Sequence, residues 1–207
     1  MKRPVIVTGT DTDIGKTVFA AGLAAALGAH YWKPVQAGTE GGGDAHRVAA
    51  LGVPESRILP EAYRLGTACS PHRAAELEGI EIAVERLEVP RVEGPLVIEG
   101  AGGALVPVTR QVLYADLFAR WAYPVVVVAS TRLGTINHSL MTLEALRARQ
   151  VGVLGIAFVG EANDDSERTI CEIGGVRRLG RLPWLEPLSA ESLAQAFRDN
   201  FELRDFA

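Results

Sequence analysis

The sequence predicts an α/β fold in which helices cover both faces of a doubly wound, mostly parallel sheet. Short apolar runs rich in β-branched residues are typical of strands buried on both faces. Amphipathic helical patterns separate these runs, which is the order of elements in a doubly wound sheet. The chain has 207 residues, 48% of them hydrophobic, which is enough for one core. We therefore expect residues 1–207 to form a single domain.

The first predicted strand begins at Val5 and leads into a turn that ends in Gly-Lys-Thr at residues 15–17. An alanine-rich helical pattern over 18–27 follows at once, and a strand, a turn and a helix are the context of a phosphate-binding loop. Lys16 would supply charge to the outer phosphates, and the Thr17 hydroxyl could ligate Mg²⁺. The spacing is unusual because Gly9 lies one residue too far from Gly15 and Thr10 takes the first glycine's place. The alternative, an ordinary strand-to-helix turn, does not explain this combination of residues.

The remaining elements alternate along the chain. Further strands are predicted over 29–32, 95–98, 124–129 and 151–159, with a weaker one over 177–182. Helices are predicted over 44–51, 114–121, 137–149 and 165–173. The proline-containing segment 52–91, with a charged helical pattern over 80–89, is interpreted as an insertion near the active edge. Ligands of such sheets bind beyond the carboxyl ends of the strands, so the residues that follow each strand are the candidates.

Three charged residues follow predicted strands or a glycine run. Lys33 could neutralise an anionic phosphate acceptor, although a lysine at a strand end can also simply extend into solvent. Asp44 follows three glycines and is well placed as a helix N-cap, a role compatible with metal binding. Glu99 ends an apolar strand directly before glycines, where an acid commonly handles Mg²⁺ in nucleotide enzymes. Together with Thr17, the two acids offer hard oxygen ligands for Mg²⁺.

Composition and spacing argue against several other classes. The net charge is −4, and the 21 lysines and arginines are scattered, which disfavours nucleic acid or an anionic membrane as the main partner. Cys69 and Cys171 lack metal or redox spacing and are interpreted as thiols of a reducing compartment. No apolar run reaches the ~20 residues of a membrane span, so we expect a cytoplasmic protein. Zinc spacing is absent among the histidines, which are His30, His46, His72 and His138.

Five motifs taken together resemble the dethiobiotin synthetase family. They occupy residues 9–17, 31–36, 99–103, 133–138 and 182–185, almost the whole length of the chain. The resemblance implies a homodimeric cyclo-ligase of biotin synthesis that depends on ATP and Mg²⁺. It would convert 7,8-diaminononanoate (diaminopelargonic acid) and CO₂ or bicarbonate into dethiobiotin, ADP and phosphate, through a carbamate and a carbamic-phosphoric anhydride.

The resemblance also implies a set of site residues. Catalytic roles fall to Lys33, Lys16 and Thr10, and the Mg²⁺ ligands would be Thr17, Asp44 and Glu99. Further contacts to ATP would come from Asp13, Ile14, Gly15, Val18, Gly100, Ala101, Gly102, Pro183, Trp184, Leu185 and Glu191. Substrate contacts would come from Thr10, Lys33, Gln36, Ala37, Thr39, Leu133, Gly134 and Asn137, and the run 133–137 would reach the substrate of the partner subunit.

The chain departs from the family pattern at two places. Ala37 stands where a serine or threonine hydroxyl usually faces the substrate, so Gln36 or Thr39 would have to replace that contact. After the 151–159 strand, Gly160 and Glu161 replace the usual Asn-Asp that reads the base, which opens the question of nucleotide selectivity.

Two other functions are compatible with the phosphate-binding loop. A cobyrinic-acid-type amide ligase would need a glutaminase domain, for which 207 residues leave no room. A ParA- or MinD-like switch ATPase usually carries a second lysine early in the loop, whereas residues 10–12 are Thr-Asp-Thr. The switch ATPase remains the alternative.

Overall fold

A computed structural model of the chain describes residues 3–39 and 42–206. The strands are β1 (Val5–Gly9), β2 (His30–Trp32), β3 (Val35–Ala37), β4 (Tyr63–Leu65), β5 (Leu96–Gly103), β6 (Val125–Ser130), β7 (Val153–Val159) and β8 (Arg178–Leu182). The helices are α1 (Lys16–Leu27), α2 (Gly43–Ala50), α3 (Pro71–Leu77), α4 (Tyr114–Trp121), α5 (Thr135–Arg147), α6 (Asp164–Gly174) and α7 (Ala190–Asn200).

Six strands form one sheet in the order β2-β5-β1-β6-β7-β8, and every neighbouring pair is parallel. On one side of β1 lie β5 and then β2, and on the other side lie β6, β7 and β8. The order in which strands are added to the sheet therefore changes direction at β1, although all strands remain parallel. The fold prediction is therefore confirmed, and the predicted strands differ from the observed ones mainly at their ends. The largest difference is at β5, which continues through the glycines to Gly103, so the expectation that Glu99 ends this strand is wrong and Glu99 lies within it.

Two hydrophobic cores lie on opposite faces of this sheet because successive strand residues point in opposite directions. On one face, α4, α5 and α6 pack over residues such as Ile98, Val127 and Phe158. On the other, α1, α2 and α7 pack over residues such as Val7 and Val128. The predicted phosphate-binding loop (P-loop) between β1 and α1 thus lies at the carboxyl edge of a sheet that is covered on both faces.

The insertion over 52–91 differs from its predicted structure. It contributes β4, which pairs in parallel with β3, and the short helix α3. The helical pattern predicted over 80–89 is wrong, since this segment forms only a 3₁₀ turn at Val84–Leu87. Side chains from other segments form hydrogen bonds with its backbone: Trp121 Nε1 donates to the Leu87 carbonyl at 2.9 Å, and the Ala83 N–H donates to Tyr63 Oη at 2.9 Å. Tertiary contacts therefore outweigh local helical preference there.

Helix α7 was also absent from the sequence prediction. Ser189 caps it by accepting a hydrogen bond from the Ser192 N–H at 3.1 Å.

Among the described helices, none combines the length and the hydropathy needed to cross a bilayer.

Candidate active site

The loop after β1 is shaped to hold an anion at the start of α1. Gly15, the residue before the helix, has φ +93° and carries no side-chain cap, so the first N–H groups of α1 remain open to a ligand. A Cβ at Gly15 would also come within 2.7 Å of Val159 Cγ1. Glycine is thus required here both by the backbone conformation and by the close approach of β7.

Lys16 extends into this loop and is almost wholly buried, with 6% of its surface exposed. Its Nζ lies 3.4 Å from the carbonyl oxygen of Asp11. Burial lowers the pKa of Lys16, and the nearby negative charge of Glu99 opposes that shift only in part. A buried ammonium with few compensating contacts is well suited to an anionic ligand such as a phosphate.

Lys33 lies beside the loop, between two carboxylates. It follows β2 and is 6% exposed; its Nζ donates to Asp44 Oδ2 and lies 3.5 Å from Glu99 Oε1. Burial acts to lower the pKa of Lys33, but the charges of Glu99 and Asp44 outweigh burial and raise it. The lysine is therefore a fixed positive charge, and its side chain does not extend into solvent.

Glu99 lies at the centre of this group and is fully buried. Its Oε1 accepts a hydrogen bond from Thr17 Oγ1 at 2.7 Å, and its Oε2 accepts one from the Tyr31 hydroxyl at 2.8 Å. Burial, followed by the charge of Glu99, raises the pKa of Tyr31 well above its ordinary value, so the phenol stays a donor. The sequence did not single out Tyr31; in the structure it pairs with Val97, two residues before Glu99.

Asp44 is held in place by Gln36. The Gln36 side-chain oxygen accepts from the Asp44 N–H at 3.0 Å, and its amide donates to the carbonyls of Ala37 and Gly38. The predicted N-cap role of Asp44 is wrong: Gly42, with φ +98°, precedes the first helical residue of α2. The Asp44 side chain contacts Lys33 instead of capping the helix.

These residues line one cleft with a volume of about 790 Å³. Lys16 and Thr17, the first two residues of α1, line it together with Glu99 of β5. What we call the polar wall consists of Lys33, Gln36, Ala37, Gly38, Asp44 and residues 68–71. What we call the apolar wall, on the β7 and β8 side, consists of Val159, Leu182, Pro183, Trp184, Leu185 and Leu188.

Comparisons with known proteins identify the family. A family model described as an AAA domain matches residues 3–192. The ATP-dependent dethiobiotin synthetase BioD of Novosphingobium aromaticivorans is 64% identical over 203 residues, which cover 98% of each chain. The protein of the same name from Rhodopseudomonas palustris strain HaA2 is 58% identical over 207 residues, which cover 100% of this chain and 97% of that one. The chain belongs to the dethiobiotin synthetase family. It is a ligase of biotin biosynthesis with a P-loop nucleotide site.

Solved structures of other P-loop proteins share the fold of this dethiobiotin synthetase family member. The septum site-determining protein MinD of Pyrococcus horikoshii, complexed with Mg-ADP, matches with a TM-score of 0.56 at 12% identity and covers 100% of this chain and 89% of its own. A ParA family ATPase from Chlorobium tepidum matches with a TM-score of 0.55 at 13% identity and covers 99% and 96%. At these identities the likeness concerns the fold alone.

The structure brings most of the residues expected from family resemblance into the cleft. Those that line it are Asp13, Gly15, Lys16, Thr17, Val18, Lys33, Gln36, Ala37, Asp44, Glu99, Ala101, Gly102, Pro183, Trp184 and Leu185. Those that do not are Thr10, Ile14, Thr39, Gly100, Leu133, Gly134, Asn137 and Glu191. Ile14 belongs to the hydrophobic core, and Gly100 lies against Phe118 of α4, so only their main chains could face a ligand.

The cleft also contains residues that the sequence did not indicate. Ala68, Cys69, Ser70 and Pro71 come from the insertion, and Arg47 comes from α2 one turn after Asp44. Ser70 supplies a hydroxyl on the wall where Ala37 has none, whereas Thr39 lies outside the cleft. A Cβ at Gly38 would come within 3.1 Å of Ala68 Cβ, so β3 and this segment are in close contact. The insertion thus lies beside the cleft, as predicted, and tertiary packing decides which of its residues line it.

Proposed function

We propose that this chain joins 7,8-diaminononanoate and CO₂ into the cyclic urea of dethiobiotin, with ATP and Mg²⁺, releasing ADP and phosphate. The observation that carries the proposal is the buried ammonium of Lys33, between Asp44 and Glu99, beside the P-loop residues Lys16 and Thr17. A second fixed cation at this position suits a phosphoryl acceptor that is itself an anion.

The reaction would proceed in three steps. One amine of the diamine adds to CO₂ and loses a proton, which gives a carbamate. A carbamate oxygen attacks the γ-phosphorus, and the bond to ADP breaks, so a mixed carbamic-phosphoric anhydride forms. The second amine then attacks the carbonyl carbon and loses a proton, while phosphate leaves. The acceptor is already negative, so positioning and charge neutralisation can drive the second step without a strong base.

The residues have distinct roles in this scheme. The open N–H groups of α1 and the Lys16 ammonium bind the outer phosphates. Lys33 neutralises the carbamate and the charge that develops on the transferred phosphoryl group. Gln36 positions Asp44, since its oxygen accepts from the Asp44 N–H. Ala37 leaves room on the polar wall, and Ser70 is the hydroxyl that we assign to the substrate in its place.

The donor atoms fit Mg²⁺. Thr17 Oγ1 and Glu99 Oε1 are 2.7 Å apart, near the separation of about 2.9 Å between adjacent ligands of an octahedral ion with bonds of 2.0–2.1 Å. In the described ranges no three His, Cys, Asp or Glu side chains form a metal-binding group, so phosphate oxygens and water would complete the coordination. Bound there, Mg²⁺ would neutralise charge on the phosphates.

We also propose that two chains assemble and share their sites. Leu133 is fully exposed, and neither it, Gly134 nor Asn137 lines the cleft of its own chain. Met141, one turn after Asn137, is 59% exposed. An exposed apolar surface beside polar side chains fits contact with a second copy, whose substrate these residues would reach.

The decisive experiment measures ADP release with ATP, Mg²⁺ and bicarbonate, with and without the diamine, and identifies the organic product by mass. We expect turnover only with the diamine and Mg²⁺, and a product heavier than the diamine by one carbonyl less two hydrogens. Diamine-independent turnover that DNA or lipid stimulates would contradict the proposal and favour a switch ATPase.

A further inference from the structure

We propose that the nucleotide site holds the base by apolar contact and stacking, and therefore accepts both purine and pyrimidine triphosphates, with affinities that differ by less than about 200-fold. The inference rests on the proposed function, because it concerns the nucleotide that the same site would use. Two features support it: the composition of the apolar wall, and the hydrogen bonds that the neighbouring polar groups form within the protein.

The position of the base follows from the position of the phosphates. The proposed function places the γ-phosphate beside Lys33, on the polar wall, so we infer that the nucleoside extends toward the opposite side of the cleft. That side is the apolar wall, which the close approach of Gly15 to Val159 connects directly to the loop. Among the described residues of this wall, none carries a carboxylate, a carboxamide or a hydroxyl.

Gly160, the first residue after β7, has both of its main-chain polar groups engaged in hydrogen bonds within the protein. Its N–H donates to the Leu182 carbonyl at 3.0 Å, and its own carbonyl accepts from Arg181 Nη1 at 3.0 Å. Its φ is +130°, and a Cβ would lie 2.5 Å from Thr131 Oγ1. The position is therefore closed to any side chain that could recognise a base.

The first carboxamide after β7 is also engaged within the protein. Asn163 caps α6, since its oxygen accepts from the Ser166 N–H at 3.2 Å, and its amide donates to the Thr131 carbonyl at 3.4 Å. Two further polar side chains, Glu161 and Glu191, are exposed and do not line the cleft. The polar side chains closest in sequence to the apolar wall are thus either bonded within the protein or outside the cleft.

Trp184 supplies the affinity that hydrogen bonds do not. It lines the cleft, is 48% exposed, and has the Arg132 guanidinium over one ring face at 5.7 Å from the centroid. Stacking on an aromatic ring tolerates every base because each base has a π-face. Its indole N–H is a donor only, and all bases offer an acceptor.

The two modes of recognition differ strongly in selectivity. A site that hydrogen-bonds a particular group rejects analogues lacking it by about 10⁴–10⁵-fold, whereas an apolar pocket discriminates by only about 10–200-fold. The composition of this wall places it in the second class.

The test measures affinity without turnover. Dissociation constants of the β,γ-imido analogues of ATP, GTP, CTP and UTP are determined calorimetrically for the full chain with Mg²⁺ and without diamine. We expect a spread below about 200-fold; a larger preference for the adenine analogue would overturn the proposal and assign base reading to main-chain groups of the 183–185 loop. Because no diamine is present, this result is independent of whether the ligase reaction is correct.

A variant separates stacking from reading. Trp184→Ala should weaken all four analogues by a similar factor of about tenfold, and Trp184→Phe should restore most of the loss. Loss of the adenine analogue alone would contradict the proposal. Trp184 is half exposed, so the variant is expected to fold, and its unfolding curve is the control.

Discussion

Lys33 shows how much of this site depends on one residue. Two carboxylates and one ammonium lie together, with 7% of the Lys33 side chain, 25% of the Asp44 side chain and none of the Glu99 side chain exposed. Buried charges are tolerated only when they are paired, and removal of one partner leaves the others uncompensated. Lys33 therefore maintains the local structure of the cluster as well as the charge proposed for the reaction.

Lys33→Ala should reduce ligase turnover at least about 100-fold while the affinity for nucleotide changes by no more than about threefold, because Lys33 faces the acceptor. Turnover and nucleotide affinity are measured separately, by ADP release and calorimetry. Lys33→Arg keeps the charge and is the matched control, expected to retain more activity than the alanine variant. An equal collapse of nucleotide affinity in the folded alanine variant would contradict the assigned role.

The two cleft lysines should titrate on opposite sides of the ordinary value of about 10.4. Burial lowers the pKa of Lys16, so its neutral amine forms at lower pH; the pKa of Lys33 is raised, so it stays charged to higher pH. The chain has only three lysines, which makes each one easy to follow. In acetic anhydride pulses between pH 7 and 11, read by peptide mass, Lys16 should reach its half-maximal rate at the lower pH.

Denatured chain is the control for this comparison, since both lysines should then titrate together. The direction of each pKa shift also determines how that lysine changes the stability of the fold as pH rises. The contribution of Lys33 is complete below its unfolded pKa and is lost as pH rises through its folded pKa. The cost of burying Lys16 as a cation is complete below its lowered folded pKa, falls as pH rises above that value, and has disappeared above its unfolded pKa. The same half-maximal pH for both folded lysines would contradict the prediction.

At the scale of elements, α1 connects the P-loop to the core. Its middle packs against α7 with no space between them: Phe197 is 1% exposed and stacks on Phe201 with centroids 4.7 Å apart. Phe19 lies 5.4 Å from Phe197, centroid to centroid. A Cβ at Gly22 would meet ring atom Cε2 of Phe197 at 2.2 Å. The absence of a side chain at Gly22 therefore lets two helices approach closely.

Gly22→Ala should lower the free energy of unfolding by about 1–3 kcal/mol, because overpacking of a filled core exceeds the gain in helix propensity of about 1 kcal/mol. Urea unfolding measures the change. Gly152→Ala is the matched control: nothing lies within 4 Å of its Cβ position, and we expect a change within about 0.5 kcal/mol. Unchanged or increased stability of Gly22→Ala would contradict the prediction and show that the phenylalanine rings can move apart to accommodate the added methyl group.

At the scale of the whole molecule, the exposed residues at the start of α5 do not line the cleft of their own chain. Leu133 is fully exposed and comes two residues before α5, which packs on one face of the sheet, whereas Leu203, 38% exposed, lies between Phe201 and Phe206 of the core on the opposite face. The proposed dimer would give Leu133 and Asn137 a function that a single chain does not provide.

Leu133→Asp should weaken self-association at least about tenfold and abolish ligase turnover while nucleotide affinity stays unchanged, because a buried carboxylate opposes the contact. Analytical ultracentrifugation and calorimetry measure these effects. Leu203→Asp introduces the same charge on the other face and should leave association unchanged. A variant that remains dimeric, or a parent chain that sediments as a monomer, would remove the shared site from the proposal.

The sequence allowed the sheet to be predicted because buried parallel strands and the P-loop have strong local patterns. The prediction failed where structure depends on distant contacts. The 80–89 segment is charged at helical spacing, yet Trp121 and Tyr63 hold its backbone in another form. Tyr31 could not be recognised because only strand pairing places its hydroxyl on Glu99. The single-domain organisation and the site roles stay predictions.

The sequence by itself determined the doubly wound order of strands and helices, the phosphate-binding loop and the charged candidate residues, because each depends on a short stretch of chain. Only the tertiary structure decided which of those residues share one cleft, that Lys33 lies between Asp44 and Glu99, and that one wall is apolar. Those facts depend on parallel strand register and on packing between segments far apart in sequence. Local patterns carry no information about such distances.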